Sequence, residues 1–151
     1  MIGKKIHKFA KELWPINRSL TGEGVRETLK HISKHIPNLN IKSVKSGEQV
    51  FDWVVPKEWS VREAYIMTPS GEKICNFLQN NLHLVGYSIP FEGEISFDEL
   101  KEHLYTLPNQ PNAIPYVTSY YQERWGFCLT QDQFDSLENG TYKVVVKSTL
   151  F

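Results

Sequence analysis

The stretch Ala113-Ile-Pro-Tyr-Val-Thr-Ser-Tyr-Tyr-Gln-Glu-Arg-Trp-Gly-Phe-Cys-Leu129 limits what this chain can fold into more than any other segment. Five aromatic side chains and an arginine crowd into it, and its apolar positions alternate too poorly for a single strand. Tyr116, Tyr120, Tyr121 and Trp125 are rigid and amphipathic, and each needs a partner for its O–H or N–H once buried. That suits a pocket wall or an interface better than a plain connector. A second unusual segment, Trp14-Pro-Ile-Asn-Arg-Ser-Leu-Thr-Gly-Glu-Gly24, separates two helical patterns near the start.

Those patterns are clear. Ile2, Ile6, Phe9 and Leu13 recur at helical spacing, and Pro15 ends the helix by pushing the residue before it out of the α region. Val25, Leu29, Ile32 and Ile36 predict a second helix, with Thr21 as its N-cap and Pro37 at its end. The period then changes to two, which predicts strands over Leu39–Val44 and Gln49–Val55. Ala64–Met67 and Lys73–Phe77 flank the turn residues Pro69-Ser-Gly71 and read as a hairpin. Leu82–Tyr87 reads as a further strand. Ser96-Phe-Asp-Glu99 is a capping box opening a short helix whose buried face is Phe97, Leu100 and Leu104. Trp125–Leu129 predicts a strand, Thr130-Gln-Asp-Gln133 caps a short helix that Gly140 breaks, and Thr141–Phe151 predicts a last strand. This final strand, reaching the end without a polar tail, looks like the edge of an unfinished sheet. Two helices and terminal strands bracketing a β-rich middle predict an α+β chain, a host domain interrupted by an insertion.

At 151 residues the chain can bury a core. Seventeen basic residues balance seventeen acidic ones, so no electrostatic footprint for nucleic acid or for an anionic membrane is present. The polar start Met1-Ile-Gly-Lys-Lys-Ile-His-Lys8 precedes no apolar leader segment, and the expectation is a cytoplasmic protein without a membrane partner. Cys75 and Cys128 stand apart and predict two reduced thiols.

Several residues invite a chemical reading. His31 and His35 are spaced as a zinc pair on a helix, but they lie off the apolar stripe beside Lys30 and Lys34, and a solvated face is expected. Cys128 as a nucleophile with His83 or His103 as base competes with a buried, inert cysteine, which is the expectation. Gly22-Glu-Gly24 lacks the preceding strand and the lysine of a phosphate loop. Free amides at that helix start, with Arg18, Ser19 and Thr21 beside them, could instead receive a carboxylate or hydroxyl. Tyr120, Tyr121, Arg124 and Trp125 form either a saccharide- or peptide-binding shelf or a domain interface.

Four ordered blocks carry a resemblance. Leu13-Trp-Pro-Ile-Asn-Arg-Ser-Leu-Thr-Gly-Glu-Gly-Val-Arg-Glu-Thr-Leu29, Phe51-Asp-Trp-Val-Val-Pro-Lys-Glu-Trp59, Leu82-His-Leu-Val-Gly-Tyr-Ser-Ile-Pro90, and Ile114-Pro-Tyr-Val-Thr-Ser-Tyr-Tyr121 with Arg124-Trp-Gly-Phe-Cys128 resemble a bacterial family of aminopeptidase-like proteins, often encoded with surface-polysaccharide genes. The resemblance implies a zinc peptidase fold, an α/β sandwich with a small β-rich insertion and commonly a C-terminal winged helix. It implies residues 1–53 as the first part of the peptidase-like domain, 54–128 as the insertion and 129–151 as the return to the peptidase-like domain. Family members are more than twice as long, and their metal ligands lie beyond the last strand here. No catalytic residue, metal ligand or cofactor is therefore expected within these residues, and zinc is implied for the longer protein only. The implied partners are the remainder of the peptidase domain and a peptide or aminoacyl substrate, with Arg18, Ser19, Thr21, Tyr120, Tyr121, Arg124 and Trp125 lining the approach. The alternative is a free-standing saccharide- or peptide-binding module built on the aromatic shelf.

Overall fold

The first half of the apolar stripe of α1 (Ile2–Leu13), a twelve-residue helix, faces water, with Ile2 78% and Ile6 62% exposed, whereas Phe9 and Leu13 are half-buried. A computed structural model describes residues 2–151 and divides them into two units, residues 2–60 with Phe151 and residues 61–150. The chain is α+β, and each unit has its own architecture.

In the first unit the backbone leaves α1 through Trp14-Pro15 and enters α2 (Glu23–Ser33). The N-cap is Gly22 at φ 95°, not Thr21, whose Oγ1 accepts a hydrogen bond from the Trp59 backbone N at 3.2 Å. Only glycine suits that left-handed N-cap, and the threonine beside it makes a long-range bond instead. Residues 39–44 are irregular rather than a strand, and Ile41 and Val44 are each at least half exposed. An alternating pattern makes a strand only where an edge exists to pair with. The expected strand Gln49–Val55 is instead a tight hairpin of β1 (Gln49–Val50) and β2 (Trp53–Val54), in register Gln49↔Val54 and Val50↔Trp53. Phe51 takes the left-handed turn position, at φ 53°.

The second unit is built on a four-stranded sheet. β3 (Trp59–Met67) leads from the first unit through the Thr68–Gly71 turn to β4 (Lys73–Ile74), with Thr68 N donating to Glu72 O at 2.8 Å and Gly71 at φ 86°. Leu82–Tyr87 is not a strand. Asn80 caps a 3-10 turn, Asn81–His83, after which single bridges join Leu84 to Phe127 and Gly86 to Thr118. β5 (Phe91–Ser96) follows, then the capping-box helix α3 (Phe97–Lys101), in which Ser96 Oγ accepts from Glu99 N and the Glu99 carboxylate accepts from Ser96 N. Leu104, expected on that helix, starts β6 (Leu104–Tyr105), which pairs in parallel with β7 (Phe127–Cys128). The Thr130–Gln133 box caps α4 (Gln131–Asp135), and β8 (Thr141–Leu150) completes the sheet in the order β4-β3-β8-β5.

This topology departs from the expected 128/129 boundary. β8 is an inner strand between β3 and β5, in register with β5 from Phe91↔Val146 to Ser96↔Thr141. Val144, Val145 and Val146 are all buried, so both faces of β8 are covered. Residues 129–150 therefore share a core with 61–128, joining Ala64, Ile66, Leu100, Phe127 and Tyr142. The β-rich unit also begins seven residues beyond the expected 53/54 boundary, at Val61.

Candidate functional site

In the first unit the loop ahead of α2 is folded tightly against that helix. A methyl group on Gly24 would lie 1.8 Å from Asn17 O, and one on Gly22 would lie 2.9 Å from Trp59 O. The two glycines are thus sites of close backbone approach, and no phosphate cradle is needed to explain them. Of the expected contact residues, Arg18 is exposed with Nη1 donating to Leu13 O at 2.9 Å, capping the end of α1, Ser19 is half-buried, and Thr21 is tied to Trp59. The strongest polar cluster here involves none of them. Arg26 Nη1 and Nη2 fork onto Glu58 at 3.1 and 2.6 Å, and its Nε donates to Glu23 at 2.7 Å. The Arg26 guanidinium holds both carboxyls below the ordinary carboxylate range. Nothing along the chain announces this pair, because the partners stand 32 residues apart.

In the second unit the four aromatic-shelf residues do not share a surface. Trp125 is only 7% exposed, stacked between Phe91 (centroids 4.5 Å apart, planes at 22°) and His103 (3.7 Å, 9°). Tyr120 packs edge-on against Tyr87 at 5.1 Å, and Arg124 donates through Nη2 to Thr118 O at 3.1 Å, 5.7 Å above the Tyr105 ring. Only Tyr121, at 72% exposure, presents its ring to solvent, joined by Tyr116 at 66%. The Tyr116 and Tyr120 hydroxyls meet at 3.3 Å, and this hydrogen bond together with burial pushes the Tyr116 phenol up to about 12. Aromatic crowding in this stretch is thus largely a core signal. The amphipathic rings meet their partners inside the unit.

The residues considered for catalysis are engaged elsewhere. His83 Nδ1 is 2.8 Å from Cys128 O and His103 Nδ1 is 3.0 Å from Trp125 O; since a carbonyl can only accept, both ring nitrogens are donors. Burial pushes the Cys75 thiol up to about 12 and the Cys128 thiol to about 11, so neither supplies a thiolate at neutral pH. α2 stops at Ser33, so His35 lies outside the helix, edge-on to Phe9 at 4.8 Å. Among the described residues no three His, Cys, Asp or Glu side chains converge where they could hold a metal ion, and these side chains do not fit a zinc centre. No described helix is long and apolar enough to cross a membrane.

Residues 58–149 match a family model described as "Domain of unknown function (DUF2172)". Over 148 residues the chain is 51% identical to a Clostridium acetobutylicum protein provisionally named a polysaccharide biosynthesis protein with aminopeptidase-like domain, covering 98% of this chain. A crystal structure from the same organism, described as that of a provisionally assigned peptidase, superposes with a TM-score of 0.93 at 51% identity over 99% of this chain. The chain spans about a third of the length of each, 34% and 35%. The resemblance drawn from the four sequence blocks thus agrees with these similarities.

Proposed function

The chain belongs to the family described as a domain of unknown function (DUF2172), and on that premise we propose that it is the access-shaping part of a zinc-dependent aminopeptidase-like protein. In this reading the first unit docks onto the remainder of a peptidase-like domain, and the β-rich unit is the insertion carried on it. The metal site lies in the remainder, outside these residues.

The observation that carries the proposal is the number of bare apolar side chains in the first unit. Ile2, Ile6, Trp14 and Phe51 are all more than 60% exposed, and no residue of α1 is buried. A helix this short draws its stability from packing an apolar face, not from propensity. Covering each such side chain contributes roughly 1.5–3 kcal/mol. The match of 58–149 to a family model of its own supports treating the β-rich unit as a module distinct from residues 1–57. The relative's further length supplies a partner of the right kind within one polypeptide. Two buried reduced thiols accord with a cytoplasmic protein.

Among the expected contact residues, Arg18 in the first unit and Tyr121 in the β-rich unit remain exposed, and each is assigned separately to substrate approach, with Ser19 and Thr21 near the one in sequence and Tyr120, Arg124 and Trp125 near the other. Arg18→Ala and Tyr121→Ala, made in the longer protein and assayed on an aminoacyl substrate, are expected to raise KM about fivefold with kcat little changed, the signature of lost uniform binding. Unchanged KM in both folded variants would confine these residues to the scaffold.

A further inference from the structure

A cavity of about 320 Å3 opens in the β-rich unit between the β3–β4 turn, α4 and the start of β8, and none of the residues considered above as peptide contacts lines it. Its volume is at the low end for small-molecule sites, room for one lysine-sized side chain or a single amino sugar. The walls are held from several directions. Gly140 lies so close to Pro69 that an added methyl group would approach the Pro69 ring to 2.6 Å, and Cys75, one of the lining residues, is buried in the left-handed region at φ 49°. Non-glycine residues in that region are held there by surrounding structure and cluster at ligand sites.

Hydrogen-bond capacity around the cavity is one-sided. Ser136 Oγ already donates to Gln133 O at 2.7 Å and Tyr142 Oη to Glu138 O at 2.7 Å, so each keeps only lone pairs. Thr68 Oγ1 and Ser70 Oγ use one of their two hydroxyl hydrogens in a mutual bond at 2.8 Å and keep the other as a donor, and Thr68 Oγ1 also accepts from Glu72 N at 3.0 Å. Gln133 spends its carbonyl oxygen on the Thr130 cap and keeps its amide N–H groups as donors. The Glu72 and Glu138 carboxylates line the space without an ion pair among the described residues, and no lysine, arginine or histidine lines it. Acceptors and negative charge thus outnumber donors, which are the Gln133 amide and one Thr68 or Ser70 hydroxyl, with Pro69, Ile74 and Leu137 providing apolar wall.

We propose that this cavity binds a primary ammonium carried on a small, partly apolar body. An ammonium offers three donors and no acceptor, the complement of what the walls present. A neutral polyol brings as many acceptors as donors and leaves both carboxylates unmatched. The ammonium could belong to a lysine side chain of a peptide or to an amino sugar, and the chemistry is the same. This site stands independently of the peptidase reading.

Calorimetric titration of the chain with N-acetyl-lysine methylamide against its norleucine isostere, and with glucosamine against glucose, tests it. At least one ammonium probe is expected to bind at least about tenfold more tightly than its uncharged partner. Whichever probe binds more tightly names the source. Glu72→Gln and Glu138→Gln are exposed, conservative changes, and each should weaken that probe about tenfold. On the unaltered chain, raising salt from about 0.05 to 0.5 M should weaken it too, a readout that survives if a variant misfolds. Equal binding of the isosteres, no binding by either ammonium, insensitivity to both substitutions or to salt, or displacement of the amine by calcium ion alone would each overturn the proposal.

Discussion

Trp125→Ala lowers the melting temperature of the β-rich unit on the order of 20 °C, whereas Tyr121→Ala, four residues away, moves it by less than about 3 °C. The asymmetry follows from burial. Trp125 lies between the Phe91 and His103 rings and meets Phe127 edge-on at 6.4 Å, while its carbonyl accepts the His103 Nδ1–H. Truncating a buried tryptophan removes its transfer free energy and leaves a cavity, about 3–5 kcal/mol, and each lost ring pair adds about 0.5–1.5 kcal/mol. Close packing on either side leaves little room to collapse, since a methyl group on neighbouring Gly126 would already touch Tyr105 at 2.8 Å and His103 O at 2.9 Å. A unit of this size has only about 5–15 kcal/mol in hand. Thermal unfolding followed by near-ultraviolet circular dichroism makes the measurement. A loss below about 5 °C for Trp125→Ala would return the residue to the surface shelf that its sequence context suggests.

Gly24→Ala destabilises the first unit, against the trend for its position. Alanine replacing glycine in a helix ordinarily gains about 1 kcal/mol. Here the new methyl carbon would lie 1.8 Å from Asn17 O and 2.7 Å from Asn17 C, and both are backbone atoms that cannot rotate away. The loop from Trp14 to Gly22 must lift from α2, with a loss of at least about 3 kcal/mol expected. Gly3 in α1 provides the control, because nothing lies within 4 Å of its added methyl group. Gly3→Ala should show the ordinary gain of about 0.5–1 kcal/mol. Far-ultraviolet circular dichroism in urea separates the two cases, and a stabilising Gly24→Ala would contradict the close approach of loop and helix.

Elements governed by near-neighbour chemistry are readable from the chain alone. The Ser96–Glu99 and Thr130–Gln133 boxes, the Pro69–Gly71 turn and the limit of α1 at Pro15 each depend on residues within a few positions of one another. Elements that depend on a partner are not. Leu39–Val44 has the strand pattern without a neighbouring strand and Leu82–Tyr87 makes only single bridges, whereas Phe91-Glu-Gly-Glu-Ile-Ser96, outside the expected strands, pairs along its whole length with β8. Its alternation, each apolar or glycine position half-buried and each glutamate exposed, is the signal the sequence carries for it. The candidate site divides the same way. Trp125 and Tyr120 stand out in the sequence as amphipathic rings, but the rings they pack against, His103, Phe91 and Tyr87, come from distant positions. The Arg26–Glu58 fork and the carboxylate-lined cavity arise only when separate segments meet.

Hydrogen exchange of the α1 amides tests most directly the claim that the first unit is a docking element of a larger peptidase-like domain. It is measured on this chain alone and on the longer Clostridium acetobutylicum relative. With Ile2 and Ile6 uncovered, α1 should exchange within about tenfold of an unstructured peptide in the chain alone, and be protected at least about a hundredfold in the longer protein. Equal exchange in the two, whether fast or slow, would contradict the account.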